Sequence, residues 1–166
     1  MDWNYKIQNF IIFWLPPILW MGFLFPLTNG ILSSNSTSHF IVPILKWFLP
    51  DASQATINTL HILFRKSVHF GEYAFLAFLL FWAFRGNNRK SWNLKWFTYA
   101  GVVTLGYGIL DEFLQAFMSS RTGSVFDLMI DSAGAIFALG IISLKVWQRQ
   151  LTLTVTERQV RESGKF

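Results

Sequence analysis

Four apolar runs, each close to the length that crosses a lipid bilayer, restrict this chain more than any other feature. A helical span needs about 20 mainly apolar residues. Such stretches lie at about 10–27, 67–84, 96–117 and 125–147. Composition matters here because 52% of the 166 residues are hydrophobic and 14% are charged. Soluble domains carry roughly 25% charged residues, and so small a water-soluble fold cannot hide this much apolar surface. The expected fold is an all-α membrane protein, a bundle of four transmembrane helices. It forms one domain over residues 1–150, followed by a polar tail at 151–166.

The first run is long for the core of a signal peptide, contains Pro16-Pro17 and precedes no small-x-small cleavage pattern. It is expected to stay in the protein as a proline-kinked helix. Between the first two runs, Phe40 to Leu49 is too short to span and carries the aromatic pair Trp47-Phe48. It reads as an interfacial helical segment lying on the membrane. Asp51 or Ser53 can cap a following helix whose Ile57, Leu60, His61 and Phe64 fall at helical spacing. From Thr152 onward the chain reads as a polar, mobile tail.

The chain has no cysteine, which removes disulfides, thiol catalysis and thiolate metal sites. Its formal charge of +5 does not call for a nucleic-acid partner, because the basic residues flank the apolar runs. Arg85, Arg89, Lys90 and Lys95 lie between the second and third runs, and Arg149, Arg158, Arg161 and Lys165 follow the fourth. Both groups are expected in the cytoplasm, with both termini, although Lys46, Arg65 and Lys66 then fall in the outer loop.

A charge at the bilayer centre costs roughly 2.5–3.5 kcal/mol on insertion scales, so polar side chains there line a bundle interior or a wet cavity. In the second run Lys66, His69 and Tyr73 share a helix face, with Glu72 beside His69. In the third, Asp111 and Gln115 are one turn apart, continuing back through Gly108 and Thr104, while Glu112 points elsewhere. In the fourth, Ser124, Asp127, Asp131, Gly134 and Ala138 form a stripe whose small residues admit a close neighbour, another helix or a second copy in a homodimer. Alternating helix directions bring these polar ends to one surface, with Arg121 in the turn between the last two runs. The topology makes that surface the outer one.

The candidate catalytic or proton-handling residues are therefore His69, Glu72, Asp111, Asp127 and Asp131. Lys66, Tyr73, Glu112, Gln115, Arg121 and Ser124 are candidate ligand contacts. Several have plainer readings. Arg121 could simply neutralise Asp127 or Asp111, His69 with Glu72 could lock two helices, Glu112 could reach interfacial water, and Tyr73 could be packing. One imidazole among carboxylates permits a divalent cation, yet no HExxH pattern, serine elbow, P-loop or dinucleotide fingerprint is present. A His beside a Glu also suits a general base, and Lys66 with Arg121 suits a phosphate. A head-group binder, a metal-dependent enzyme acting on a lipid phosphate and a small proton-coupled transporter all remain open. No inverted repeat supports the transporter.

The ordered blocks Lys66-Ser-Val-His69-Phe-Gly-Glu72-Tyr73, Asp111-Glu112-Phe-Leu-Gln115 and Arg121-Thr-Gly-Ser124-Val-Phe-Asp127-Leu-Met-Ile-Asp131-Ser-Ala-Gly134 resemble the VanZ-like family of bacterial membrane proteins. The likeness covers about residues 60–145. It departs from the family's pattern at Leu27-Thr28-Asn29 and at Ser119-Ser120. The resemblance implies a small helical bundle in the plasma membrane of the bacterial cell envelope. The family's namesake is associated with low-level resistance to the glycopeptide antibiotic teicoplanin. The ligand expected on these grounds is a lipid-linked envelope precursor or a phospholipid head group.

Overall fold

The computed structural model describes residues 3–26, 34–87, 93–117 and 124–163. These residues form five helices: α1 (Trp3–Pro26), α2 (Ser34–Phe48), α3 (Gln54–Arg85), α4 (Leu94–Ala116) and α5 (Val125–Ser163). No strand occurs among the described residues. The expected all-helical class is what forms.

The helix ends follow local chemistry. Ser53 caps α3, its hydroxyl accepting the Thr56 N–H at 3.2 Å, and Asn93 caps α4 by accepting the Lys95 N–H at 3.0 Å. Each side chain satisfies an amide that has no partner within the helix. α3 stops at Gly86, whose φ of 53° favours glycine and whose N–H returns to the Trp82 carbonyl.

Three features differ from the expectations. The segment after Ser53 and the second apolar run are one helix of 32 residues, since no glycine or proline stands between Ser53 and Ser67 to end it. At 1.5 Å per residue α3 is about 48 Å long, well beyond a hydrocarbon core of about 30 Å. The tail beyond Thr152 is likewise helical, because no glycine or proline stands between Gly140 and Gly164, and α5 extends as an exposed helix to Ser163. Third, three helices are long and apolar enough to cross a membrane, α1, α3 and α5. A helix, α4, covers the expected span at 96–117, but Lys95, Asp111 and Glu112 and its tyrosines and glycines dilute its hydropathy, so apolarity alone does not establish a four-span bundle.

α3 is the centre of the bundle, packed against α5, α4, α1 and α2. α1 runs antiparallel to it: Phe13 meets Trp82 and Trp14 meets Phe84, while Trp20 donates to the Glu72 carbonyl near the other end. α4 is also antiparallel, with Phe97 on Phe81 and Asp111 beside Tyr73. α5 runs parallel to α3, pairing Asp127 with Lys66 and Phe137 with Phe70. The core comprises Leu24, Tyr73, Leu76, Leu80, Phe81, Phe97 and Ala100. Outside it, Phe10, Leu19, Val102, Phe113 and Ile136 face outward, a surface suited to lipid and costly in water.

The small-residue stripe of α5 has an internal use. A Cβ at position 134 would collide with the carbonyl oxygen of Phe70, so Gly134 lets α5 lie directly on the α3 backbone. That part of the stripe is covered by α3 and cannot also join two copies of the chain. Arg121, Arg89 and Lys90, and the departures at 27–29 and 119–120, lie outside the described residues.

Candidate functional site

The parallel register of α3 and α5 builds the polar end of the bundle. Lys66 Nζ lies 3.0 Å from Asp127 Oδ1, each side chain about a third exposed, at 38% and 32%. One turn deeper, His69 Nδ1 lies 3.5 Å from Asp131 Oδ1, and Asp131 is 2% exposed. The separation is long for a hydrogen bond and close for a charge pair. The four side chains therefore alternate along the helix contact as two steps, an outer, wet lysine–carboxylate pair and an inner, dry imidazole–carboxylate pair.

An open groove of about 670 Å³ runs over these steps. Arg65, Lys66, His69, Ser124 and Asp127 supply its polar lining, and Ile62, Phe126 and Ile130 contribute apolar walls. A groove with apolar walls and a few converging polar groups is the usual form of a small-molecule site. Arg65 is the residue that sequence reasoning missed. It is one turn before His69, so the helical spacing that selected Lys66 and His69 could have selected it too.

The buried acids of α4 form a second, inner part. Asp111, 3% exposed, accepts from Gln115 Nε2 at 3.0 Å and from the Tyr73 hydroxyl at 3.4 Å, both on Oδ2. Tyr73, 1% exposed, is thus a core residue holding α3 to α4 and does not reach the groove. Asp131 joins the two parts, because it also lines a cavity of about 240 Å³ with Tyr73, Thr104 and Gly108. Replacing Asp111 with leucine removes the acceptor of two buried donors and is expected to cost about 1–3 kcal/mol. Asp111→Asn, which keeps a carbonyl there, should cost less. Thermal unfolding in detergent orders the two variants.

Glu112 has a structural assignment. Its Oε2 accepts the Ser124 N–H at 2.7 Å, placing a carboxylate at the N-terminus of α5, where helix amides are unpaired and the helix dipole favours negative charge. Glu72 is buried and faces a small cleft shared with Thr37 of α2, Arg65 and His69. α2 is anchored beside it by His61, whose Nε2 is 3.0 Å from Thr37 Oγ1. His69 stands where the cleft and the groove meet.

Of the expected cluster, Lys66, His69, Ser124, Asp127 and Asp131 are thus brought together at α3 and α5. Asp111 and Gln115 are behind them, Glu72 is on the α2 side, and Arg121 lies outside the described residues. No three His, Asp or Glu side chains among the described residues approach closely enough to hold a metal ion. Four of the carboxylates, Asp127, Asp131, Asp111 and Glu112, are next to Lys66, His69, Gln115 and the Ser124 amide respectively.

A family model described as VanZ/LLP1 matches residues 13–147, which takes in most of α1 and every candidate residue above. No curated protein and no solved structure gives a significant match. From most of α1 to the apolar part of α5, the chain belongs to the VanZ/LLP1 family.

Proposed function

We propose that this chain is a multi-pass plasma-membrane protein of the bacterial cell envelope, with α4 as a fourth span and both termini in the cytoplasm. Its groove between α3 and α5 then opens at the outer surface and binds an anionic head group, the phosphate of a lipid-linked envelope precursor or of a phospholipid. α2, whose Phe40, Ile44, Trp47 and Phe48 are uncovered, lies on the membrane beside it.

The observation that carries this reading is the groove lining. Arg65 and Lys66 are adjacent cations on an accessible rim. The Lys66–Asp127 pair is about a third exposed and therefore weak, of the order of 0–1 kcal/mol, so a phosphate can take over the lysine at little cost. Beneath it, His69 held against Asp131 can accept or return a proton as the head group binds. The same pair would serve as general base if the ligand is turned over. The cellular consequence we propose is a modest tolerance of teicoplanin-type glycopeptides, through capture of a lipid-linked precursor.

The test combines binding with phenotype. Protein in nanodiscs is titrated with a polyprenyl phosphate and with the corresponding polyprenol. The phosphate should bind at least tenfold more tightly, and Lys66→Ala should remove most of the difference while leaving the melting temperature within a few degrees, as expected for a surface pair. Equal binding of phosphate and alcohol would sink the reading. Expression in a susceptible host should raise the inhibitory concentration of teicoplanin, and an unchanged value would remove the resistance element alone.

A further inference from the structure

A second groove, of about 520 Å³, lies between the later half of α3 and the middle of α5. It is at the end of the bundle opposite His69 and Asp131. By helical rise Arg85 is about 24 Å from His69 along α3 and Arg149 about 27 Å from Asp131 along α5. A hydrocarbon core is about 30 Å thick, so the two grooves stand at opposite faces of one membrane.

The walls and the rim of this groove have different characters. Phe78 and Phe81 of α3 face Phe137 and Ile141 of α5 along its length. At its end Arg85, Lys145 and Arg149 converge, the last two one turn apart on α5. The pairs Lys66–Asp127 and His69–Asp131 lie at the other end of the bundle, and neither includes Lys145 or Arg149. Cations at head-group depth above an apolar slot match one class of molecule, a lipid with an anionic head group and acyl chains. A free phosphate would leave the aromatic walls unused, and a zwitterionic lipid would leave Lys145 and Arg149 unbalanced.

We propose that this groove holds one anionic phospholipid, its phosphate between Lys145, Arg149 and Arg85 and an acyl chain against Phe78, Phe81 and Phe137. Arginine gives the phosphate a forked, two-bond contact, and lysine adds a point charge. The site is separate from the groove over Lys66 and His69 and does not depend on the function proposed for it.

Native mass spectrometry of the full chain in neutral detergent, titrated with phosphatidylglycerol or phosphatidylcholine of the same chains, tests it. The expected result is at least a tenfold preference for phosphatidylglycerol that the K145Q/R149Q variant abolishes. K6Q/K95Q loses the same charge from other helices at this end of the bundle, away from the groove, and should keep the preference. Equal binding of the two lipids by the unaltered protein would overturn the proposal. So would a preference that survives K145Q/R149Q, or one that K6Q/K95Q reduces as far, since charge alone would then explain it. Displacement of phosphatidylglycerol by millimolar inorganic phosphate would show a simple anion site and overturn the lipid assignment.

Discussion

Replacing Gly134 with leucine is expected to prevent this bundle from closing. The added side chain would begin inside the carbonyl group of Phe70, which is backbone and has no rotamer by which to withdraw. α5 would have to move away from α3, separating Lys66 from Asp127 and His69 from Asp131 together. Overfilling a packed core costs about 1–3 kcal/mol even where side chains can shift, so Gly134→Ala should lose about 3 kcal/mol and Gly134→Leu should yield little monodisperse protein. Gly140 is the control, six residues along the same helix with nothing near its Cβ position. Gly140→Ala should be neutral or gain about 0.5–1 kcal/mol from reduced chain entropy. Size-exclusion profiles and melting temperatures in detergent check all three. Unaltered melting of Gly134→Ala would mean that α3 and α5 do not touch there.

The next largest effect is an asymmetry at the inner pair. His69→Ala leaves Asp131 buried without its imidazole neighbour, and breaking a buried pair from one side costs about 3–5 kcal/mol. Asp131→Ala strands the imidazole in the same way. Removing both groups at once, in a His69→Leu and Asp131→Leu double variant, leaves no orphaned charge and should recover most of the lost stability. A double-mutant cycle on melting free energies therefore gives a coupling well outside additivity. The recovered double variant keeps Arg65 and Lys66 but should still bind a polyprenyl phosphate less tightly than the unaltered protein, which separates holding the helices from handling the ligand. Additive single effects would show that the two residues do not act as a pair.

Several elements of the fold were legible in the residues alone. Apolar runs bounded by basic residues located α1, α3, α4 and α5, since their periodicity and length are local properties of the chain. Ser53 marked the start of α3 because an N-cap is made within one turn. The one-turn spacing of Asp111 and Gln115 gave their hydrogen bond for the same reason. The length of α3 was less legible, because a charged Arg65-Lys66 looks like the end of a membrane segment while nothing in it stops a helix. The helical tail is equally hard to read, since its polarity suggests a loose segment while no glycine or proline stops the helix.

By itself the sequence determined an all-helical bundle, its apolar surface, and a set of acids and one histidine too costly to leave unpaired in an apolar setting. It could not determine which acid meets which cation, because helix spacing ranks neighbours on one helix and is silent about the register between two. The tertiary structure decided that through the contact of Gly134 with Phe70, which fixes the register of α5 on α3 and aligns Asp127 with Lys66 and Asp131 with His69. It also assigned Tyr73 to the core, gave Glu112 to the end of α5, brought Arg65 to the groove and left a basic slot at the far end. Those assignments depend on distances across the bundle, and only packing fixes such distances.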